Sequence, residues 1–207
     1  RFTDARDLAE QAISQYDVNA ISRDLAFILI QLAAAQSGLG QFEAVYPALQ
    51  RAAQIFEALK IMSWLATTHL YRAQAAIREN NLVVAKQDAL IAAEYFKENG
   101  ETLAHAKALF LSAQIDFLNK DYQTALLTGN KILEIAQSLK LANLKYQVHL
   151  LLGKLAEQME RTTRALRHYQ VANLTIERIQ RSLVLTSRSD FLADKQEPIQ
   201  RLLRLQL

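Results

Sequence analysis

The chain has four histidines, His69, His105, His149 and His168, and these are the first candidates for metal or proton-transfer chemistry. A metal site needs several nitrogen, sulfur or oxygen donors converging on one point. Cysteine is absent. His69 and His149 occupy equivalent positions two periods apart in the repeat described below, which assigns them to separate units. Each histidine therefore reads as a partly buried residue of its own repeat. Glu157 and Glu160 share a helix face at i,i+3 and offer a carboxylate pair. With no apolar pocket or third group beside them, they read as a solvated face. Asp116 and Asp121 flank a helix break, where Asp121 is expected as a cap. No glycine-rich phosphate loop, nucleophile elbow or Walker lysine is present. The chain is expected to be non-catalytic, with no metal and no cofactor.

The elements that carry these residues follow from composition. Among 207 residues there are 5 glycines and 2 prolines. A sheet protein of this size needs many more tight turns, and glycine and proline are the residues that supply them. Alanine, the strongest helix former, occurs 32 times. The chain is expected to be all-α with short connections. Half of it is hydrophobic (51%) and 22% is charged, which excludes a disordered chain. Without cysteine there is no disulfide framework. No apolar run reaches the roughly 18–20 residues of a membrane span, and a cytoplasmic location is expected.

A shift of 40 residues aligns four segments without a gap. Small residues form one column at Ala33, Ala73, Ala113 and Gly153. A second column, usually large and apolar, follows at Phe42, Leu82, Tyr122 and Thr162. A third runs through Val45, Ala85, Ala125 and Ala165, and a fourth through Ala52, Ala92, Ile132 and Ala172. Breaks fall at Gly38–Gln41, Glu79–Asn81, Asn119–Asp121 and Glu160–Arg161 inside the units, and at Lys60–Ile61, Asn99–Gly100 and Lys140–Leu141 between them. Thr162, like Asp121, is expected to cap a second helix. Two helices of an antiparallel hairpin approach closely only where both lack bulk, so the small columns mark where each pair packs. Pro47 and Gly129, inside second helices, have no place in this pattern.

These columns resemble the tetratricopeptide repeat. The fourth unit is the most similar, with Leu152-Gly153 in its first helix and Ala165-Leu166, Tyr169 and Ala172 in its second. The usual first-helix tryptophan is replaced by Leu29, His69, Leu109 and His149, and the trailing proline is missing. The period exceeds the family's common 34, so longer helices are expected. The resemblance implies a right-handed α-solenoid: a half-repeat at 1–18, units at 19–60, 61–100, 101–140 and 141–182, and a C-terminal helical connector at 183–207. The half-repeat reads as a cut from a longer protein. Around the connector, Ile176–Leu183, Arg188, Phe191–Lys195 and Leu202–Leu205 are similar to the segment preceding caspase-like CHAT protease domains in bacterial tetratricopeptide proteins. That segment usually carries a tyrosine after the lysine, where this chain has Pro198-Ile199.

In such a solenoid the first helices line the concave surface. Ile30, Leu70, Phe110 and Leu150 form one apolar stripe there. Phe27, Thr67, Lys107 and Gln147 form its neighbour on one side, and Ala34, Gln74, Gln114 and Lys154 on the other. Tyr71 and Arg78 lie close by. The aliphatic stripe either packs between units or floors a groove for a peptide with spaced apolar anchors. The stripes carry no asparagine, which disfavours a carboxylate clamp. Residues 1–103 hold 9 basic and 12 acidic side chains, and residues 104–207 hold 15 and 9. Without interleaved aromatics the basic half is a weak case for nucleic acid. The expectation is an interaction scaffold for a protein or peptide partner, serving as the recognition arm of a larger, CHAT-associated protein. The alternatives are the sensing arm of a bacterial transcription regulator, or a self-association module.

Overall fold

The computed structural model describes residues 2–17, 19–182 and 195–206. Among these the chain is helical throughout, with no strand. The helices are α1 (Phe2–Ile13), α2 (Arg23–Gly38), α3 (Phe42–Ala58), α4 (Met62–Arg78), α5 (Leu82–Glu98), α6 (Thr102–Leu118), α7 (Tyr122–Ser138), α8 (Ala142–Gln158), α9 (Thr162–Ser182) and α10 (Glu197–Gln206). The stretch 183–194, the first part of the sequence read as a connector, lies outside the described residues, as does residue 207.

Helices α3 to α8 are each 17 residues long, separated by three-residue breaks. The breaks share one geometry. Gly40, Lys60, Asn80, Gly100, Lys120, Lys140 and Glu160 all have positive φ, between 53° and 74°. The amide of the following residue donates back five residues, as in Gln41 to Gln36 at 2.9 Å, Asn81 to Ala76 at 2.7 Å and Arg161 to Ala156 at 2.8 Å. These are Schellman closures, which satisfy the last carbonyls of each helix while reversing the chain. The backbone thus repeats every 20 residues, half the period of the side-chain columns. Asp121 caps α7 by accepting from the Thr124 amide, and Asn81 caps α5 through the Val84 amide. Thr162 is the first residue of α9 itself rather than its cap.

Contacts divide the chain into two compact units, residues 1–115 and 116–207, with the boundary inside α6. In the first unit α1 packs on α2, α2 on α3, α3 on α4 and α4 on α5, and the first helices α2 and α4 also touch. Leu25, Ala26, Leu29, Ile30 and Ala33, at helical spacing on α2, join Val45, Leu49, Ala52, Ile55 and Phe56 of α3 in one buried cluster. Ala73, Ala85, Ala92 and Ala113 of the small columns are fully buried. In the second unit α7 packs on α8, α8 on α9 and α9 on α10. A Cβ on Gly129 would lie 2.8 Å from Leu152, and one on Gly153 would collide with the Tyr169 ring. Both glycines are therefore contact positions where the helices meet. Pro47 faces outward from α3, leaving the carbonyl that its missing amide frees open to water. Pro198 lies in the first turn of α10, where a proline costs nothing in hydrogen bonds.

Candidate functional site

The first-helix face of the first unit holds an open cleft of about 570 Å³. One wall is α4, whose Trp64, Thr67 and Tyr71 stand at i, i+3 and i+7, with Leu70 beside them. Leu103 and Lys107 of α6 form the other wall, one turn apart, and Phe96 of α5 closes the floor. Trp64 is 38% exposed and Leu103 43%, a large apolar surface to leave in water. Trp64 is held from behind: its ring meets Phe27 edge-on at 4.5 Å, and Phe27 packs on Phe56 at 5.5 Å. Ser63 donates to Glu101 at 2.8 Å, tying the start of α4 to the residue before α6. The rim thus carries a carboxylate at Glu101 and an ammonium at Lys107 around an apolar floor. Beside it, Ala34, Tyr71, Gln74 and Arg78 line a smaller cleft of about 50 Å³, which shares Tyr71 with the larger one.

The expected groove residues therefore fall into distinct places. Leu70, Tyr71 and Lys107 line the large cleft, and Ala34, Tyr71, Gln74 and Arg78 the small one. Phe27 supports the cleft from below. Ile30 is 1% exposed and belongs to the core, so it takes the packing role of the two open to its stripe. Phe110 and Gln114 are half-buried on α6 and line neither cleft. In the second unit Gln147 is exposed, but Leu150 packs with Leu202 and Leu205 of α10 against Ala156, Ala165 and Tyr169. Lys154 is paired with Glu197 of α10 at 2.7 Å. Here α10 sits over the residues that correspond to the open face of the first unit. Trp64, Phe96 and Leu103 are the additions; the i, i+3, i+7 spacing of Trp64 with Thr67 and Tyr71 is the signal that marks the first of them.

Glu157 corrects the expectation of a solvated carboxylate. Its side chain is 10% exposed and accepts from Arg201 at 2.6 Å, from Arg204, and from the Tyr169 hydroxyl. Burial alone would raise its pKa, but these hydrogen bonds outweigh that and hold it below the ordinary carboxylate value. Tyr169 is pushed up in turn, by burial and by Glu157. Glu160, the other member of the supposed pair, is an exposed turn residue with φ 57°.

The histidines also find partners inside their own units. His69 approaches Asp88 at 2.8 Å, and Asp88, fully buried, takes two further bonds of 2.6 Å from Arg72. At the repeat-equivalent pair of positions, the Nδ1 atoms of His149 and His168 lie 3.0 Å apart. Burial, His168 and Lys145 push the His149 pKa down to about 4, and burial and Arg164 lower that of His168. His105 meets the Ala93 carbonyl at 2.9 Å. Among the described residues no group of three or more His, Asp or Glu could hold a metal ion, and no helix is long and apolar enough to cross a membrane.

No protein-family model matches the chain, and no curated protein matches it either. Solved structures do. BtubC (BKLC) from P. vanneervenii superposes with a TM-score of 0.68 at 15% identity, covering 99% of this chain and 88% of that one. A signal transduction ATPase with numerous domains (STAND), which has a tetratricopeptide repeat sensor and comes from Pyrococcus horikoshii, gives a TM-score of 0.73 at 17% identity. That match covers 99% of this chain, which spans 32% of the length of the STAND protein. At such identities the likeness shows the fold alone: an all-helical, tetratricopeptide-like repeat.

Proposed function

We propose that this chain is a non-catalytic protein-interaction module that holds a peptide or partner segment in the first-helix cleft of its first unit. The observation that carries the reading is the exposed apolar cleft between α4 and α6, floored by Phe96 and walled by Trp64, Leu70, Tyr71 and Leu103. Its occupant would be a segment with spaced apolar anchors, set in register by one charge toward Lys107 and another toward Glu101. Trp64 is the sole tryptophan, so its fluorescence reports the cleft directly. Peptides selected from a displayed library against the whole chain should share spaced apolar residues and shift Trp64 emission. Tyr71→Ala should weaken them about tenfold, a typical loss for a buried aromatic anchor, with the circular dichroism unchanged. Selected peptides that leave Trp64 emission and the Tyr71 variant unaffected would overturn the cleft assignment.

The module is read as the recognition arm of a larger protein. The sequence around the connector supports a parent carrying a CHAT protease domain, and a caspase-like domain after residue 207 in the parent gene is the check. The likeness to a STAND protein with a tetratricopeptide repeat sensor favours a second reading, the sensing arm of a signalling regulator. A nucleotide-hydrolysing or DNA-binding domain in the parent would support that one.

A further inference from the structure

The second unit contains a separate cleft of about 400 Å³ between α7, α8 and α9, and its polar lining is one-sided. Arg164 and Arg167 enter it from α9, Arg161 from the residue before that helix, Asn130 from α7, and His149 and His168 from α8 and α9. Among the described residues no Asp or Glu lines it. The three arginines are exposed, and none of them is ion-paired with any described residue. The arginines of α10 behave differently, since Arg201 and Arg204 are both committed to Glu157. Arg161 and Arg164 also stand at the start of α9, where the first turn holds no acidic residue. A helix N-terminus carries the positive end of the macrodipole, so cations there are placed against both the dipole and each other. Three guanidiniums, a helix N-terminus and no counter-charge on one concavity form an arrangement that a bound anion would relieve.

The histidines sharpen the class of ligand. Their Nδ1–Nδ1 hydrogen bond of 3.0 Å requires one ring to donate and the other to accept. The ring that accepts through Nδ1 carries its own proton on Nε2, so the neutral pair keeps one further donor. Leu126 and Met159, both partly exposed, supply an apolar side. Guanidiniums pair with carboxylates and phosphates alike, and three of them lining one concavity suit the three oxygens and double charge of a phosphate monoester. The volume lies in the range of small-molecule pockets, and the three arginines, at i, i+3 and i+6, line this one concavity.

We propose that this cleft binds a small organic phosphate, its dianionic group held by Arg161, Arg164 and Arg167 and its carbon framework set against Leu126 and Met159. The site is distinct from the first-helix cleft and does not rest on the peptide-binding reading. The test is calorimetric titration of the whole chain with AMP, adenosine, inorganic phosphate and a glutamate decapeptide at one fixed ionic strength. AMP should bind, inorganic phosphate more weakly, and adenosine not at all. Arg164→Gln and Arg167→Gln should each weaken AMP about tenfold, the scale of one lost charge-assisted hydrogen bond. Arg178→Gln, the same charge change elsewhere on α9, should leave AMP binding unchanged. No heat with AMP or phosphate up to about 10 mM, the millimolar edge of useful affinity, overturns the proposal. So does phosphate binding without AMP, adenosine binding as well as AMP, equal loss in the Arg178 variant, or preference for the acidic decapeptide, which would make the cleft a protein contact.

Discussion

The two units treat the same surface in opposite ways. In the first, the first-helix face is left open: Trp64, Leu70, Tyr71 and Leu103 surround a cleft with Glu101 and Lys107 at its rim. In the second, the corresponding residues are occupied. Leu150 lies under Leu202 and Leu205, Lys154 is bound to Glu197, and Glu157 anchors Arg201 and Arg204. A repeat buries its apolar face only by stacking on a neighbour, so a terminal repeat needs a cap. Helix α10, Glu197–Gln206, does this for the second unit, with Leu202 and Leu205 toward Leu150 and Ala156 of α8 and Ala165 and Tyr169 of α9, and Glu197, Arg201 and Arg204 paired with Lys154 and Glu157 of α8. The difference teaches that an apolar inner stripe is ambiguous in itself. Whether it is a cap contact or a binding floor is decided by what lies over it.

The largest test removes the anchor of the covered side. Glu157→Gln keeps the shape but removes the carboxylate that Arg201 shares with Glu197 and that the exposed Arg204 pairs with. A loss of about 2 kcal/mol is expected, the scale of charge-assisted hydrogen bonds that are partly exposed to water. Urea denaturation measures it, and amide exchange over 197–206 should accelerate if α10 is released. If that exchange is unchanged, the ion cluster does not hold α10 in place.

Acid should act on the second unit in two steps. His149 has a folded pKa of about 4 against 6.5 for a free imidazole, and burial and Arg164 lower His168 as well. Between these values the unfolded chain takes up protons that the folded unit refuses. The stability is therefore complete above pH 6.5 and is lost as the pH falls toward 4. His149 alone should contribute about 2 kcal/mol of loss by about pH 5, facing as it does His168, Lys145 and, next to the pair, Arg164. Glu157 and Glu197 have depressed pKa values, so their contribution holds above 4.5 and disappears at still lower pH. Melting curves from pH 7 to 3 should show both steps, and His149→Gln should flatten most of the upper one. A single step below pH 4.5 in the unmutated chain would remove the imidazole pair from the account.

A paired truncation compares the two faces directly. Leu150→Ala should cost about 2 kcal/mol, since it opens a hole beneath Leu202 and Leu205. Leu103→Ala on the open cleft should stay within about 0.5 kcal/mol. Equal losses would mean that the cleft is as closely packed as the capped face.

How much of this was legible in the sequence depends on the range of the interaction. The 40-residue columns are close-range packing requirements, and Ala73, Ala85 and Ala113 are buried as the repeat demands. The breaks were readable for the same reason. The finer 20-residue period of the turns was not, because its left-handed positions are filled by Lys60, Lys120, Lys140 and Glu160 as well as by Gly40, Asn80 and Gly100. Lysine and glutamate give no turn signature. Glu157 was misread because its partners, Arg201 and Arg204, lie beyond the last repeat, where periodicity carries no information. Ile30 and Leu70 share one column, yet Ile30 is core and Leu70 lines a cleft, since exposure depends on the neighbouring unit.

The same turns supply the smallest and most local comparison between the units. The first unit fills its positive-φ positions with Gly40, Lys60, Asn80 and Gly100; the second uses only Lys120, Lys140 and Glu160. A side chain with a Cβ pays about 1–2 kcal/mol in the left-handed region, against about 0.5–1 kcal/mol for the extra chain entropy that a glycine brings. The difference favours glycine by about 0.5 kcal/mol per turn. Lys120→Gly and Lys140→Gly should therefore each raise the stability of the second unit slightly and add when combined, the turns being separate. Gly100→Ala in the first unit should lower stability by about 1 kcal/mol, although nothing lies within 4 Å of the added methyl group, because the cost is in the backbone alone. Denaturation midpoints at constant m-value are sufficient to read these shifts. A loss on Lys120→Gly would show that its side chain contributes more to the turn than its conformation costs.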